Sequence, residues 1–462
     1  LLGKPFVGML AKLGQAAIGM FPKFSQATIG MLAQRCYAVV HTHELLFYPS
    51  KLSTMRIHNC LKLSQSFRIV HMPSRKDVST VRQGATGHID LRQPFRRKVP
   101  FASLLNFSVV IFAAVLLAGE ALAASYVKPD DANLQYTGRI DFANPAGPLL
   151  SWPGTSVEGS FTGSSLALKL DDQFGKNYFN VFIDGDLARP VVVKAGQGSR
   201  TYAVAGGLAA GPHRFLVTKR TEGEEGATVF QGLELADDAK LLPPPPRKQR
   251  HIEFFGDSIT SGMGNEAPDN GPDHLLNEKN NFLSYASITA RNLDAEAHVI
   301  SQSGIGIMIS WFPFTMPDFY DQLNAVGNND SKWDFSRWTP DVVVINLMQN
   351  DSWLIDREKR LLPVPDDSQR VQAYKQFVQK IRAIYPRAYI VCALGSMDAT
   401  RPNSKWPGYV RTAVTEIQRE QNDSRIDTVF FDFTGFQGHP RVRQHQANAA
   451  RLTDFIRQKL DW

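Results

Sequence analysis

Ser258 is the residue in this chain best placed for nucleophilic chemistry. It stands in Phe254-Phe255-Gly256-Asp257-Ser258-Ile259-Thr260, directly after the short apolar run His251–Phe255. In an open α/β sheet, ligands bind at the carboxyl ends of the strands. A serine at such an end can expose its hydroxyl and turn its backbone N–H toward a developing oxyanion. The tripeptide alone does not decide this, because Asp257 and Ser258 serve equally well as turn or helix-capping residues. Three further segments stand beside predicted strands and helices in the same way: Ser303-Gly304-Ile305-Gly306, Gln349-Asn350-Asp351 and Gly438-His439-Pro440. Together they add an imidazole, a side-chain amide and glycine-rich backbone to the serine hydroxyl.

The pattern around these segments predicts strands alternating with helices after residue 250. Strands are expected at His251–Phe255, Glu296–Ser301, Asp341–Leu347, Tyr389–Leu394 and Thr428–Asp432. Helices are expected at Phe282–Leu293, Ser368–Ala383, Tyr409–Gln421 and Arg441–Leu460. That alternation implies an α/β fold with a mainly parallel, buried sheet between helical layers. Residues 125–240 read differently. Short strand-like pieces such as Ser165–Leu170, Tyr178–Ile183, Val191–Val193 and His213–Val217 are separated by turns at Pro153-Gly154, Asp184-Gly185-Asp186 and Gly206-Gly207. They predict an antiparallel β-sandwich, jelly-roll-like in character. Pro243-Pro244-Pro245-Pro246 stiffens residues 241–249 into a linker, so the second domain is expected to span 250–462.

Gly256-Asp257-Ser258-Ile259-Thr260 resembles block I of the SGNH hydrolases. Ser303-Gly304-Ile305-Gly306 is similar to block II, Gln349-Asn350-Asp351 to block III and Gly438-His439-Pro440 to block V, in the family's order over residues 250–460. The resemblance implies that Ser258 is the nucleophile and His439 its base. It also implies an oxyanion hole made by Ser258 N–H, Gly304 N–H and the Asn350 amide, with no metal and no organic cofactor. The chain departs from the family twice. Phe436 stands three residues before His439, where the family has Asp, and Met348 replaces a glycine. A Ser258–His439 dyad is therefore expected, with a backbone carbonyl orienting the imidazole and Asp432 as second choice. A β-sandwich ahead of an SGNH domain is similar to carbohydrate esterase family 2, whose members deacetylate plant-type polysaccharides. Gly138-Arg139-Ile140-Asp141-Phe142 and Ser151-Trp152-Pro153-Gly154 support that likeness, although both also read as a strand and a turn of any sandwich.

Several other residues invite a functional reading. Trp311 and Trp353 follow blocks II and III and are candidates for stacking on sugar rings; Trp406 is a weaker one, and ordinary packing is the rival for all three. Asp269, Asp273 and His274 form a polar loop read as solvated rather than as a cation or substrate site, and His445 as a solvated or packed histidine. Cys392 lies in an apolar run without a partner and reads as an inert core residue.

The net charge of +7 would suggest a polyanionic partner, but residues 1–123 hold 15 Lys/Arg against 4 Asp/Glu and the remainder holds 36 against 40. Nucleic acid is therefore excluded as a partner of the main body. Arg96-Arg97-Lys98, the apolar stretch Leu104–Ala118 and Ala121-Leu122-Ala123 together read as a signal peptide over 96–123, which implies a secreted or periplasmic protein without a stable membrane anchor after cleavage. The 11-residue repeat Val7-Gly8-Met9, Ile18-Gly19-Met20, Ile29-Gly30-Met31 lies in a segment, 1–95, read as non-native or disordered sequence upstream of the true start. The expected substrate is an acetylated polysaccharide. The rival readings are a lipase, arylesterase or thioesterase on small or apolar esters, and a carbohydrate-binding protein without activity.

Overall fold

The structure, a computed structural model, describes residues 125–462 apart from 238, 270 and 327–330. The 11-residue repeat and the signal-peptide pattern at 96–123 lie outside the described residues. No helix of the described residues is long and apolar enough to cross a membrane.

Two six-stranded antiparallel sheets form the first half of the described chain. One is built around Thr228–Leu235, which pairs with Leu166–Asp172, Leu149–Leu150 and Ser125–Val127. The other is built around Pro212–Lys219, which lies between Ser156–Thr162 and Tyr178–Ile183. Alternation in the sequence explains the layering. Leu166, Leu168 and Leu170 point inward with Phe230, Leu233 and Leu235, and Phe161, Phe179, Val181, Phe215 and Val217 meet them from the other sheet. Each such side chain contributes about 1.5–3 kcal/mol through its removal from water.

The second half is a five-stranded parallel sheet. Its order is Ala295–Ser301, Arg250–Gly256, Val342–Asn346, Tyr389–Leu394, Ile426–Phe430. Both faces are covered, so the strands are apolar throughout and successive residues serve different cores. Phe255, Val343, Ile345, Ile390 and Cys392 pack with the helices Asp367–Ile384 and Trp406–Gln421. Phe254, Val342, Val344 and Val391 pack with Tyr285–Asn292 and Val442–Leu460. Cys392 is a free, buried core thiol, and burial pushes its pKa up to about 12. The chain order reverses direction between Arg250–Gly256 and Val342–Asn346, a topological switch point that opens a crevice beyond the strand ends.

The two segments that carry the sandwich's likeness to carbohydrate esterase family 2 hold the halves together. Arg139 is 0% exposed and bonds Glu253 of the parallel sheet at 2.8 Å, with Nη1 donating to Tyr320 O at 2.6 Å and Gln322 O at 3.0 Å. The Trp152 indole, also fully buried, donates to Leu323 O at 2.7 Å and packs on Phe319. Gly154 has φ +73° and no room for a side chain, since a Cβ there would stand 2.4 Å from Asn281 Oδ1. A buried ion pair recovers its desolvation cost only when its remaining polar atoms are satisfied; the two carbonyls satisfy Arg139 Nη1, while Arg139 Nε and Glu253 Oε2 have no partner among the described residues.

Candidate active site

Asp257 caps the short helix Ser258–Ser261, its carboxylate accepting from Ile259 N at 3.0 Å. That cap places Ser258 at the first helical position, where its own N–H has no intrahelical acceptor. Burial pushes the Asp257 carboxyl up to about 7. His439 arrives from the other side, just ahead of the helix Val442–Leu460. Its Nε2 lies 2.8 Å from Ser258 Oγ.

The expected dyad is overturned at the other ring nitrogen. His439 Nδ1 lies 2.8 Å from Asp273 Oδ2, and the same oxygen accepts from the His439 backbone N–H at 2.7 Å. No backbone carbonyl orients this imidazole among the described residues. Asp432 plays no part, being exposed and paired with Arg451 at 2.7 Å. An ionised carboxylate only accepts hydrogen bonds, so Nδ1 carries the ring proton and Nε2 is left to accept from Ser258. The hydrogen bond from His439 holds the Asp273 carboxyl well below its ordinary value, against the opposing effect of burial.

Two glycines make the approach of Asp273 possible. A Cβ on Gly264 would stand 2.3 Å from Asp273 O, and one on Gly438, at φ +146°, would stand 3.3 Å from Asp273 Oδ2. Arg441 then ties the loop down, donating to Gly264 O at 3.1 Å, Pro268 O at 3.2 Å, Gly271 O at 3.3 Å and His439 O at 2.8 Å. The polar loop read as solvated is therefore divided in its roles. Asp273 faces the imidazole, Asp269 pairs with Arg443 at 2.8 Å, and His274 is exposed.

Gly304, at φ +86°, and Asn350 share one pocket of about 510 Å³ with Ser258 and His439. The Gly304 N–H makes no hydrogen bond within the described residues. Asn350 Nδ2 uses one of its hydrogens on Ile305 O at 2.9 Å, which leaves the other for a ligand. Asp351 fixes the two loops relative to each other by accepting from the backbone of Ile307 at 3.0 Å, Met308 at 2.6 Å and Ile309 at 3.2 Å. Met348, in place of the family's glycine, is fully buried at φ +89° and leaves Asn350 in the pocket.

Trp311 and Trp353 line the same pocket, beside Phe312 and Met397. Trp311 is 47% exposed, with Arg360 4.4 Å from its ring centroid; Arg357 lies 4.0 Å from that of Trp353. Trp406 is elsewhere, buried with its indole donating to Asp356 at 2.8 Å. His445 is packed rather than solvated. Its Nδ1 accepts from Tyr285 N at 3.0 Å, and burial lowers its pKa to about 3.

Both halves of the described chain resemble known proteins. Residues 136–245 match the family model carbohydrate esterase 2 N-terminal, and residues 254–455 match the GDSL-like lipase/acylhydrolase family. A family two carbohydrate esterase from Clostridium thermocellum, solved with cellohexaose, aligns with a TM-score of 0.65 at 34% identity, over 71% of this chain and 99% of that one. The chain belongs to carbohydrate esterase family 2. The cellulase/esterase CelE of Acetivibrio thermocellus is 35% identical over 359 residues, 72% of this chain, and this chain spans 40% of that longer protein. An acetylxylan esterase/glucomannan deacetylase of Cellvibrio japonicus is 29% identical over 371 residues, 76% of this chain and 97% of its own length. In this carbohydrate esterase, Asp273 is the site residue that sequence reasoning missed. It lies 166 positions from His439, in a loop without periodicity. The available signal was negative: Phe436 leaves a vacancy that some other carboxylate could fill.

Proposed function

We propose that this protein is a serine esterase that removes acetyl groups from polysaccharide. The observation that carries the reading is the continuous relay Asp273–His439–Ser258, at 2.8 Å and 2.8 Å, opening into a pocket walled by Trp311, Phe312 and Trp353. Ser258 Oγ attacks the acetyl carbonyl while His439 Nε2 takes its proton. The tetrahedral oxyanion is held by Ser258 N–H, Gly304 N–H and the Asn350 amide, each contributing about 2.7–4 kcal/mol to lowering the barrier. The imidazolium, stabilised by Asp273, returns the proton to the departing sugar oxygen. Water activated by the same imidazole then releases acetate from the acetyl-enzyme and restores Ser258. No step calls on a metal or an organic cofactor.

The aromatic wall supports a sugar as the alcohol half of the ester, since pyranose rings pack on indole faces. The relatives named acetylxylan esterase/glucomannan deacetylase point to the same substrate class. The intact relay speaks against a binding protein without activity. The signal-peptide pattern at 96–123 supports export, and we read the sandwich as jelly-roll-like from the interleaving of its strands.

Acetate release from acetylated xylan and glucomannan, measured beside p-nitrophenyl acetate hydrolysis, tests the reading. We expect release from the polysaccharides that disappears in Ser258→Ala. Hydrolysis of the model ester or of longer acyl esters, with no acetate from either polysaccharide, would favour a lipase or arylesterase instead.

A further inference from the structure

Glu222 belongs to the sandwich yet reaches the loops of the hydrolase half. It follows the strand Pro212–Lys219, and its side chain is 1% exposed. One carboxylate oxygen accepts from Ser303 N at 2.5 Å and from Ser261 Oγ at 2.9 Å. The other accepts from Ser303 Oγ at 2.5 Å and from Lys279 Nζ at 3.1 Å. Ser261 lies on the helix that begins with Ser258, and Ser303 immediately precedes Gly304. A single carboxylate therefore ties together the two backbone segments that supply the N–H groups of the oxyanion hole.

The surrounding charges suit this role. Lys279 is buried against Glu222 and Glu225 and pairs with both. Its ammonium occupies the place a cation would take between these acids, so the cluster Glu222, Glu224 and Glu225 is no vacant metal site. Burial alone would raise the Glu222 carboxyl, but Lys279 and the Ser303 donors outweigh it and hold it below its ordinary value. The neighbouring Arg220 donates to Lys279 O at 3.2 Å and Asn277 O at 2.9 Å and pairs with Glu266. The same edge of the sandwich thus also braces the loop that carries Asp273.

We propose that Glu222 is a positioning residue through which the β-sandwich sets the oxyanion hole, so that the sandwich is part of the catalytic architecture. The inference rests on the esterase reading above. An ionised acceptor bonded to the N–H and Oγ of Ser303 fixes the adjacent peptide, and with it the direction of the Gly304 N–H. A misplacement of about 1 Å in such a group costs on the order of 100-fold in rate.

The test uses the full chain with p-nitrophenyl acetate and a small boronic acid, whose tetrahedral adduct on Ser258 places an oxygen in the oxyanion hole. Active sites are counted by titration, and wild-type turnover is first shown to vanish in Ser258→Ala. Glu222→Gln is expected to lower kcat per titrated site about 10- to 100-fold, to leave KM within about twofold, and to weaken boronic acid binding in parallel with kcat. Glu222→Asp is expected to recover part of the loss. If Glu222→Gln does not fold, Ser303→Ala decides, with an expected kcat loss of about 3- to 10-fold at unchanged KM. Unchanged kcat per site in a folded variant overturns the inference and leaves the esterase reading standing, as does a loss that tracks only the number of titrated sites. A wild type without Ser258-dependent turnover overturns both.

Discussion

Asp273 shows how a single side chain can replace a missing motif position. Ser258 and His439 are legible in the sequence because each sits beside a predicted strand or helix in a recognisable order. The partner of His439 is not, because a loop imposes no periodicity and its contacts are distant in the chain. A pH dependence follows from the geometry. The Asp273 carboxyl is held below its ordinary value of 3.8 by the His439 hydrogen bond, so folding favours its ionised form. The associated stability is fully present above about pH 4 and is lost as pH falls further toward the depressed folded value. Urea melts at pH 5 and pH 3 should therefore show a smaller acid loss in Asp273→Asn than in the wild type. Equal losses would mean that this carboxylate gains nothing from His439 on folding.

At the scale of elements, the parallel sheet was readable to within a few residues, because strands buried on both faces must be apolar throughout. The docking role of Arg139 and Trp152 was not readable. Their acceptors Tyr320 O and Leu323 O lie 181 and 171 positions away, so the local pattern shows only a strand and a turn. Met348 illustrates two effects in competition. At φ +89° a non-glycine residue carries a strain of roughly 1–2 kcal/mol. Its side chain is fully buried in the core beside Leu347 and Ile355, and truncating such a side chain costs about 2–5 kcal/mol. The packing wins, so Met348→Gly should destabilise the protein by about 2 kcal/mol in urea denaturation. A more stable glycine variant would show that backbone strain dominates at this position.

For the whole molecule, the site is a product of both halves. Strand ends at the switch point supply Ser258, Gly304 and Asn350, the loop after the nucleophile supplies Asp273, and the final helix is preceded by His439. The sandwich holds this set in place through Arg139, Trp152 and Glu222. The surplus of basic residues belongs to the sequence 1–123; the remaining residues hold 36 Lys/Arg against 40 Asp/Glu. We infer that His439, oriented by Asp273, activates Ser258. Covalent labelling by a fluorophosphonate, followed by intact mass, reads that activation at the serine itself. One adduct per wild-type chain is expected, none in Ser258→Ala, and labelling slowed by a factor on the order of 10³ in Asp273→Asn, where the amide would hold the imidazole in the wrong tautomer. Labelling that persists in Ser258→Ala, or proceeds at the wild-type rate in Asp273→Asn, would contradict it.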